Sequence, residues 1–265
     1  RSTLFPYTTL FRSSIIRVMS KNDTIASILK FQTEDTTEYW RSQLFNVYPW
    51  LDKGRCSSLA LEDRKEYLIS ELSAYYDKIQ LNLQNKLSMS QNVWLENKEN
   101  VNDIYSKVFD IDCHNILSNI MAEISLNPIC PRNLKHVSFS FFWGADNNNF
   151  MKTALHEMIH FVWFHIWQKY FTDNEKEYES PSLKWILSEM VIDTFVRKTE
   201  IGVLYPEPYK QQPAYRYFYE MIVHKTPILV LLSNIKEESS SIRQFMEGAY
   251  QFCLENEVVI REQLR

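Results

Sequence analysis

The sequence predicts an α+β protein, predominantly helical, in which a small sheet packs on one long apolar helix. Three observations carry that expectation. Glycine is scarce, four residues in 265, whereas tight-turned all-β folds need more of it. Apolar residues recur at helical spacing, as at 68, 69, 72, 75, 76, 79 and 83. Only LKHVSFSFFWG, at 134–144, alternates clearly in the manner of a strand.

Taken in chain order, RSTLFPYTTLFRS at the start resembles a translated sequencing adapter. Residues 1–18 are therefore set aside as an adapter-derived leader outside the fold, with Met19 as the candidate start. This opening has no continuous apolar core and no small-residue cleavage site, so it is not read as an export signal. Residues 19–265 are expected to form one domain: a helical lobe over 19–130, a central part over 131–200 and a helical part over 201–265. In the lobe, an amphipathic stretch from Asp23 ends near Pro49, and helices follow over 61–87, 91–109 and 114–126, the last stopped by Asn127-Pro128. The strand at about 134–143 puts Val137, Phe139 and Phe141 on one face and Ser138 and Ser140 on the other. Asp146 and the three asparagines after it supply cap chemistry for a helix over 150–171. An acidic loop, TDNEKEYE, leads to a second apolar helix, with Ser180 as cap and Pro181 at its first position, ending near Gly202. Pro206, Pro208 and Pro213 mark an irregular segment before an aromatic-rich helix at 214–224 and two more helices near 227–236 and 240–263.

Charge and cysteine usage narrow the class. Without Arg1, Arg12 and Arg17, and with no acid before Asp23, the formal charge moves from −4 to −7. That argues against a general nucleic-acid or anionic-membrane surface. The four cysteines, none in a CxxC pair, fit a reducing compartment, and no apolar run approaches the roughly 20 residues of a membrane span. A cytoplasmic protein without membrane or nucleic-acid partners is the expectation; oligomeric state is not legible.

The chemistry concentrates in HEMIH, residues 156–160. Such a pattern arises by chance about once in 100 chains of this composition. On a helix, residues four apart share a face, so His156 and His160 can aim ring nitrogens at one ion about 2 Å away, with Glu157 beside them. Leu155, Met158, Ile159, Phe161, Val162, Trp163, Phe164, Ile166 and Trp167 make this helix apolar nearly all round. It should be buried, and burying two imidazoles and a carboxylate without partners costs several kcal/mol. A divalent cation is a suitable partner.

A catalytic zinc site needs a third protein ligand and an open position. A metzincin-type third histidine would require Gly at 163 and His at 166, where Trp163 and Ile166 stand. His165 turns off the shared face, and neither Cys113 nor Cys130 lies in a Glu-Gly-Cys context. The next apolar helix offers Glu189, with Asp193 one turn later. Like charges at that spacing repel unless a cation sits beside them. Glu189 is thus the candidate ligand and Asp193 the candidate acceptor for a histidine ring N–H.

His156-Glu157-x-x-His160 followed by Glu189-x-x-x-Asp193 resembles the gluzincin branch of the zincin metallopeptidases, over roughly residues 134–200. The interval between His160 and Glu189 is longer than in the best-known members, and no aminopeptidase Gly-x-Met-x-Asn signature is present. The resemblance implies a zincin-like fold, one zinc ion held by His156, His160 and Glu189, Glu157 as general base and then proton donor, and Asp193 as support. It implies peptide or protein substrates, with the strand at 137–142 (Val137, Ser138, Phe139, Ser140, Phe141, Phe142) as an edge that pairs with substrate backbone; that strand reads equally well as core. It further implies an oxyanion-stabilising Tyr or His, for which Tyr215, Tyr217, Tyr219 and His224 are the candidates. The expected activity is zinc-dependent peptide-bond hydrolysis. Two other readings remain open, a non-catalytic zincin-fold regulatory or binding protein with a structural or sensory metal, and a helical scaffold with no metal.

Overall fold

A four-stranded mixed sheet anchors the helices. The computed structural model describes residues 15–33, 35–171, 175–210 and 213–264. In order come β1 (Ile15–Val18), α1 (Lys21–Leu29), α2 (Glu38–Val47), α3 (Lys53–Ser58), α4 (Leu61–Lys78), α5 (Gln80–Phe109), α6 (His114–Ser118), β2 (Met121–Ser125), β3 (Arg132–Asn133) and β4 (Ser138–Phe142). Then follow α7 (Asn147–Tyr170), α8 (Leu183–Lys198), α9 (Ile201–Leu204), α10 (Arg216–Glu220), the small hairpin β5 (Ile222–Val223) and β6 (Thr226–Pro227), α11 (Ile228–Glu238), α12 (Ile242–Glu255) and α13 (Glu257–Glu262). The protein is predominantly helical with a small sheet.

Strand order is β1-β2-β4-β3, parallel except for the antiparallel β3. This corrects three expectations. Ile15–Val18, set aside with the leader, is an edge strand: Ile16 pairs with Ala122 and is buried, so the fold begins upstream of Met19. The adapter-like residues 1–13 lie outside the described residues. Second, the helix expected over 114–126 stops at Ser118, and Met121–Ser125 becomes a central strand. Helix-forming Met, Ala and Glu are overridden there because Ala122 and Ile124 bury between neighbouring strands, where tertiary packing outweighs local propensity. Third, the strand at 134–143 is shorter than expected and is not an edge. Val137 has φ 48, a left-handed value that turns the chain at 134–137, with Val137 N donating to Leu134 O at 3.2 Å. Ser138 and Phe139 then pair with β3, and Ser140 N donates to Pro131 O at 3.0 Å. On its other side β2 covers Ser138 to Phe142. Both faces of β4 are also covered: Ser138 and Ser140 are buried, as are Phe139 and Phe141.

The lobe helices divide differently from their expected positions, because the break falls at Ile79 and α5 runs unbroken through 87–91 to Asp110, a left-handed cap with φ 53. Helix α7 has the mantle its sequence demands. Asp146 caps it, its Oδ1 accepting from Asn149 N at 2.7 Å. From Phe150 to Trp167 nearly every side chain is buried, against α5, α6, α8, α12 and β4. Trp163 is edge-on to Phe195 of α8 at 6.0 Å and to Phe245 of α12 at 5.8 Å, and Tyr105 of α5 donates its phenol proton to Leu155 O at 2.5 Å. Helix α8 starts later than expected: Ser182, not Ser180, is the cap, its Oγ accepting from Trp185 N at 3.2 Å, and the Ser180–Pro181 bond is cis. Of the acidic loop before it, 172–174 lie outside the described residues. The buried apolar side chains make one core that runs from Ile16 to Ile260. Among the described residues no helix is long and apolar enough to cross a membrane.

Candidate metal centre

Helices α7 and α8 pack face to face, and their few polar side chains meet at that seam. His156 and His160 present their Nε2 atoms 3.1 Å apart. Glu189 brings Oε2 to 3.6 Å from the first and 3.5 Å from the second. All three residues are buried, His160 completely. The circle through the three atoms has a radius of about 2.0 Å, so one point lies at bonding distance from all three; zinc takes nitrogen ligands at about 2.0–2.1 Å and carboxylate oxygens at about 2.0–2.2 Å. The donor set is therefore the right size and chemistry for a divalent cation. The orphaned atoms point the same way, since Glu189 Oε2 is buried without a hydrogen-bond partner. Unpartnered buried acceptors are rare and ask for an explanation.

Glu157 sits next to this cage, its Oε1 3.9 Å from His156 Nε2. Burial pushes its carboxyl above the usual carboxylate range, against the pull of His156 and Arg132. Burial opposes charge on Glu189 too, but there His160, Arg132 and His156 prevail and hold the carboxyl well below its ordinary value. His160 is pushed down to about 3 by burial and by Arg132. His156 moves the other way: burial would lower it, and Glu189 and Glu157 outweigh that.

Arg132, which the sequence reading passed over, is the fifth member. Held on β3 opposite Phe139, it donates from Nη1 to Glu189 Oε1 at 3.0 Å and stands 3.6 Å from Glu157 Oε2. Its side chain is only 13% exposed. Each oxygen of Glu189 thus has a separate assignment, Oε1 to the guanidinium and Oε2 to the histidines. A lone arginine in an irregular stretch gives no periodic signal, so only the partner-seeking of two buried glutamates could have suggested a cation nearby.

The remaining candidates sort by position. Asp193 lines the same seam, but the bond it makes is with Arg197 Nε at 2.8 Å, one turn along α8. His160 Nδ1 is buried with no hydrogen-bond partner. Asp193 is thus paired within its own helix, with the i,i+4 arginine. Tyr215 borders His156, Glu157 and Glu189, and Tyr217 lies a little farther out in the same cleft. Tyr219 shares a hydrogen bond with Tyr209, Oη to Oη at 3.3 Å. His224 is exposed at the turn between β5 and β6, with φ 50, and lines none of the cavities around the triad. The six residues 137–142, expected as a substrate-pairing edge, sit inside the sheet, except that Val137 is the turn before it; the segment that faces the cleft is 128–134.

Tyr205 was missed because it follows α9 in the proline-marked segment. It lines the cleft with His156 and Glu157, and its hydroxyl is buried without a hydrogen-bond partner. Two adjoining cavities, of about 360 and 690 Å³, border the site and share Trp40, Cys130, His156, Glu157 and Tyr215.

No protein-family model, no curated protein and no solved structure matches the chain. The function must be argued from the site itself.

Proposed function

We propose that this chain is a zinc-dependent peptide hydrolase, in which His156, His160 and Glu189 hold the ion and Glu157 moves the proton. One observation carries the reading: three buried donors converge on a point about 2.0 Å from each, with a spare carboxylate alongside and open cavities next to it. When bound, the ion supplies Lewis acidity, polarising a carbonyl and acidifying water. Glu157, buried beside the triad and bordering both cavities, accepts a proton from the attacking water and returns it to the leaving amine. Arg132 keeps Glu189 and Glu157, two carboxylates of one sign, together in the dry seam and restricts Glu189 to one free oxygen. Tyr205 has the unspent O–H, and the cleft position, for a donor to the oxyanion that forms at the substrate carbonyl. The order His-Glu-x-x-His, then Glu on the following helix, is that of the gluzincins, and the reading adopts their division of labour.

A second reading draws on Arg132. A guanidinium bonded to the ligand carboxylate and close to the base would also suit a regulatory protein whose metal is structural. One comparison separates the two. Purified protein should carry close to one equivalent of zinc and cleave a quenched-fluorescence peptide library; Glu157→Gln should keep the zinc and lose turnover by at least about 100-fold. Zinc with no turnover in either protein would leave the structural reading standing, and less than about 0.2 equivalents would remove both.

A further inference from the structure

The two cavities beside Glu157 differ in chemistry, and the difference specifies a substrate side chain. The larger is walled by Phe31, Trp40, Leu134, Trp185, Tyr215 and Tyr217, each half-buried and so open to the cavity. The rings form a continuous row drawn from separate parts of the chain. Phe31 lies 6.5 Å from Trp40 of α2, Trp40 6.4 Å from Tyr215, and Tyr215 6.1 Å from Trp185 of α8. The ionic groups of this cavity lie at its floor, where Arg132, Glu157 and Glu189 engage one another, and at its rim. Arg132 is committed to Glu189 and Glu157, and the remaining exposed groups at the rim, Lys30 and Glu179, are of opposite sign. The smaller cavity shares Trp40 and Tyr215 with it and adds Gln43, Lys152, Thr153 and Lys210, while Phe31, Trp185 and Tyr217 belong to the larger one alone.

Half-buried aromatic side chains gathered in one concavity next to a reactive centre are the common make-up of a ligand pocket, and about 690 Å³ falls inside the usual range of roughly 300–1,000 Å³. We propose that this cavity is a specificity pocket for a large apolar or aromatic side chain of an extended peptide, placed directly beside the bond that Glu157 acts on. The inference rests on the hydrolase reading for the word substrate, but the pocket can be tested apart from turnover. An aromatic residue gains offset or edge contacts with the ring row that an aliphatic or polar residue cannot make. A charged residue meets open ionic groups only at the exposed rim, Lys30 and Glu179, where solvent screens them, and the smaller cavity receives the other side of the peptide.

Two measurements decide it. Blocked peptides identical except for Phe, Leu, Ala or Glu at one position are titrated onto Glu157→Gln protein by calorimetry, with quenching of tryptophan emission as a second signal because Trp40 and Trp185 line the pocket. The Phe peptide should bind at least about 10-fold tighter than the Ala peptide, and the Glu peptide weakest; with wild-type protein the Phe/Ala ratio of kcat/KM should reach about 100, because hydrophobic pockets discriminate by roughly 10–200-fold per methylene-sized difference. Trp185→Ala and, independently, Trp40→Ala should each shrink that ratio about 10-fold, so misfolding of one variant leaves the other to decide. Equal binding and equal cleavage of Phe and Ala peptides, or a ratio unmoved in both variants, would overturn the pocket. Aromatic-selective binding with no cleavage by the wild type would uphold the pocket and defeat the hydrolase reading; cleavage without selectivity would do the reverse.

Discussion

Metal binding should stabilise this protein by an amount the geometry allows to be worked out. His156, His160 and Glu189 already stand 3.1–3.6 Å apart on two packed helices, so an ion need not order them and its binding energy appears as folding energy. An ion that binds the native state alone, at free concentration 100 times its Kd, adds about 2.7 kcal/mol. For a chain of this size each kcal/mol moves the melting temperature about 2–4 °C, which gives an increase of roughly 5–11 °C. Chelator-stripped protein titrated with zinc in a differential scanning calorimeter measures it. Glu189→Gln should lose most of the increase, because the neutral amide removes the one formal charge in the cage; His165→Ala, exposed on the same helix, should keep all of it. A wild-type increase below about 2 °C, or an equal increase in Glu189→Gln, would refute the assignment of these three residues as the cage.

Three further outcomes follow from particular contacts. Arg132→Ala leaves two buried carboxylates without their cation and should destabilise chelated protein by about 3–5 kcal/mol in urea unfolding, and by clearly less with zinc present, since the ion then supplies positive charge to Glu189. Tyr205→Phe should lower kcat by about 10²–10³ with KM little changed; unchanged kcat would remove the oxyanion role. Starting the chain at Met19 instead of Ile15 strips β1 from β2 and exposes the contacts of Ile16, so the shorter protein should be at least about 1.5–3 kcal/mol less stable by chemical denaturation.

The parts of this protein that could be read from sequence are those where one physical demand dominates a whole segment. Helices α7 and α8 are apolar on nearly every face, so their polar residues had to face one another, and His156, His160 and Glu189 do. Met121–Ser125 departs from the expected helix because its alternation of Ala122 and Ile124 with Glu123 and Ser125 is too short to stand out among helix-forming residues; pairing with β1 and β4 makes it extended. The edge role given to β4 failed for a similar reason, since the strand that covers it is two residues long and leaves no pattern. Tyr205 lies in irregular backbone and Arg132 on a two-residue strand, where position depends on the turns around them, such as the positive φ of Cys130 and Val137 on either side of β3.

The construction of α7 has a consequence for how such a protein can diversify. Most of its side chains from Phe150 to Trp167 are locked, so changes at those positions shift the histidines, and the group formed by His156, His160 and Glu189 is held rigidly. The cleft walls come from elsewhere, from Phe31 and Trp40, from 128–134 and from the segment around Tyr205 to Tyr217, and most of these side chains are only half-buried. The walls could therefore change residue by residue while His156, His160 and Glu189, supported from behind, stay where they are.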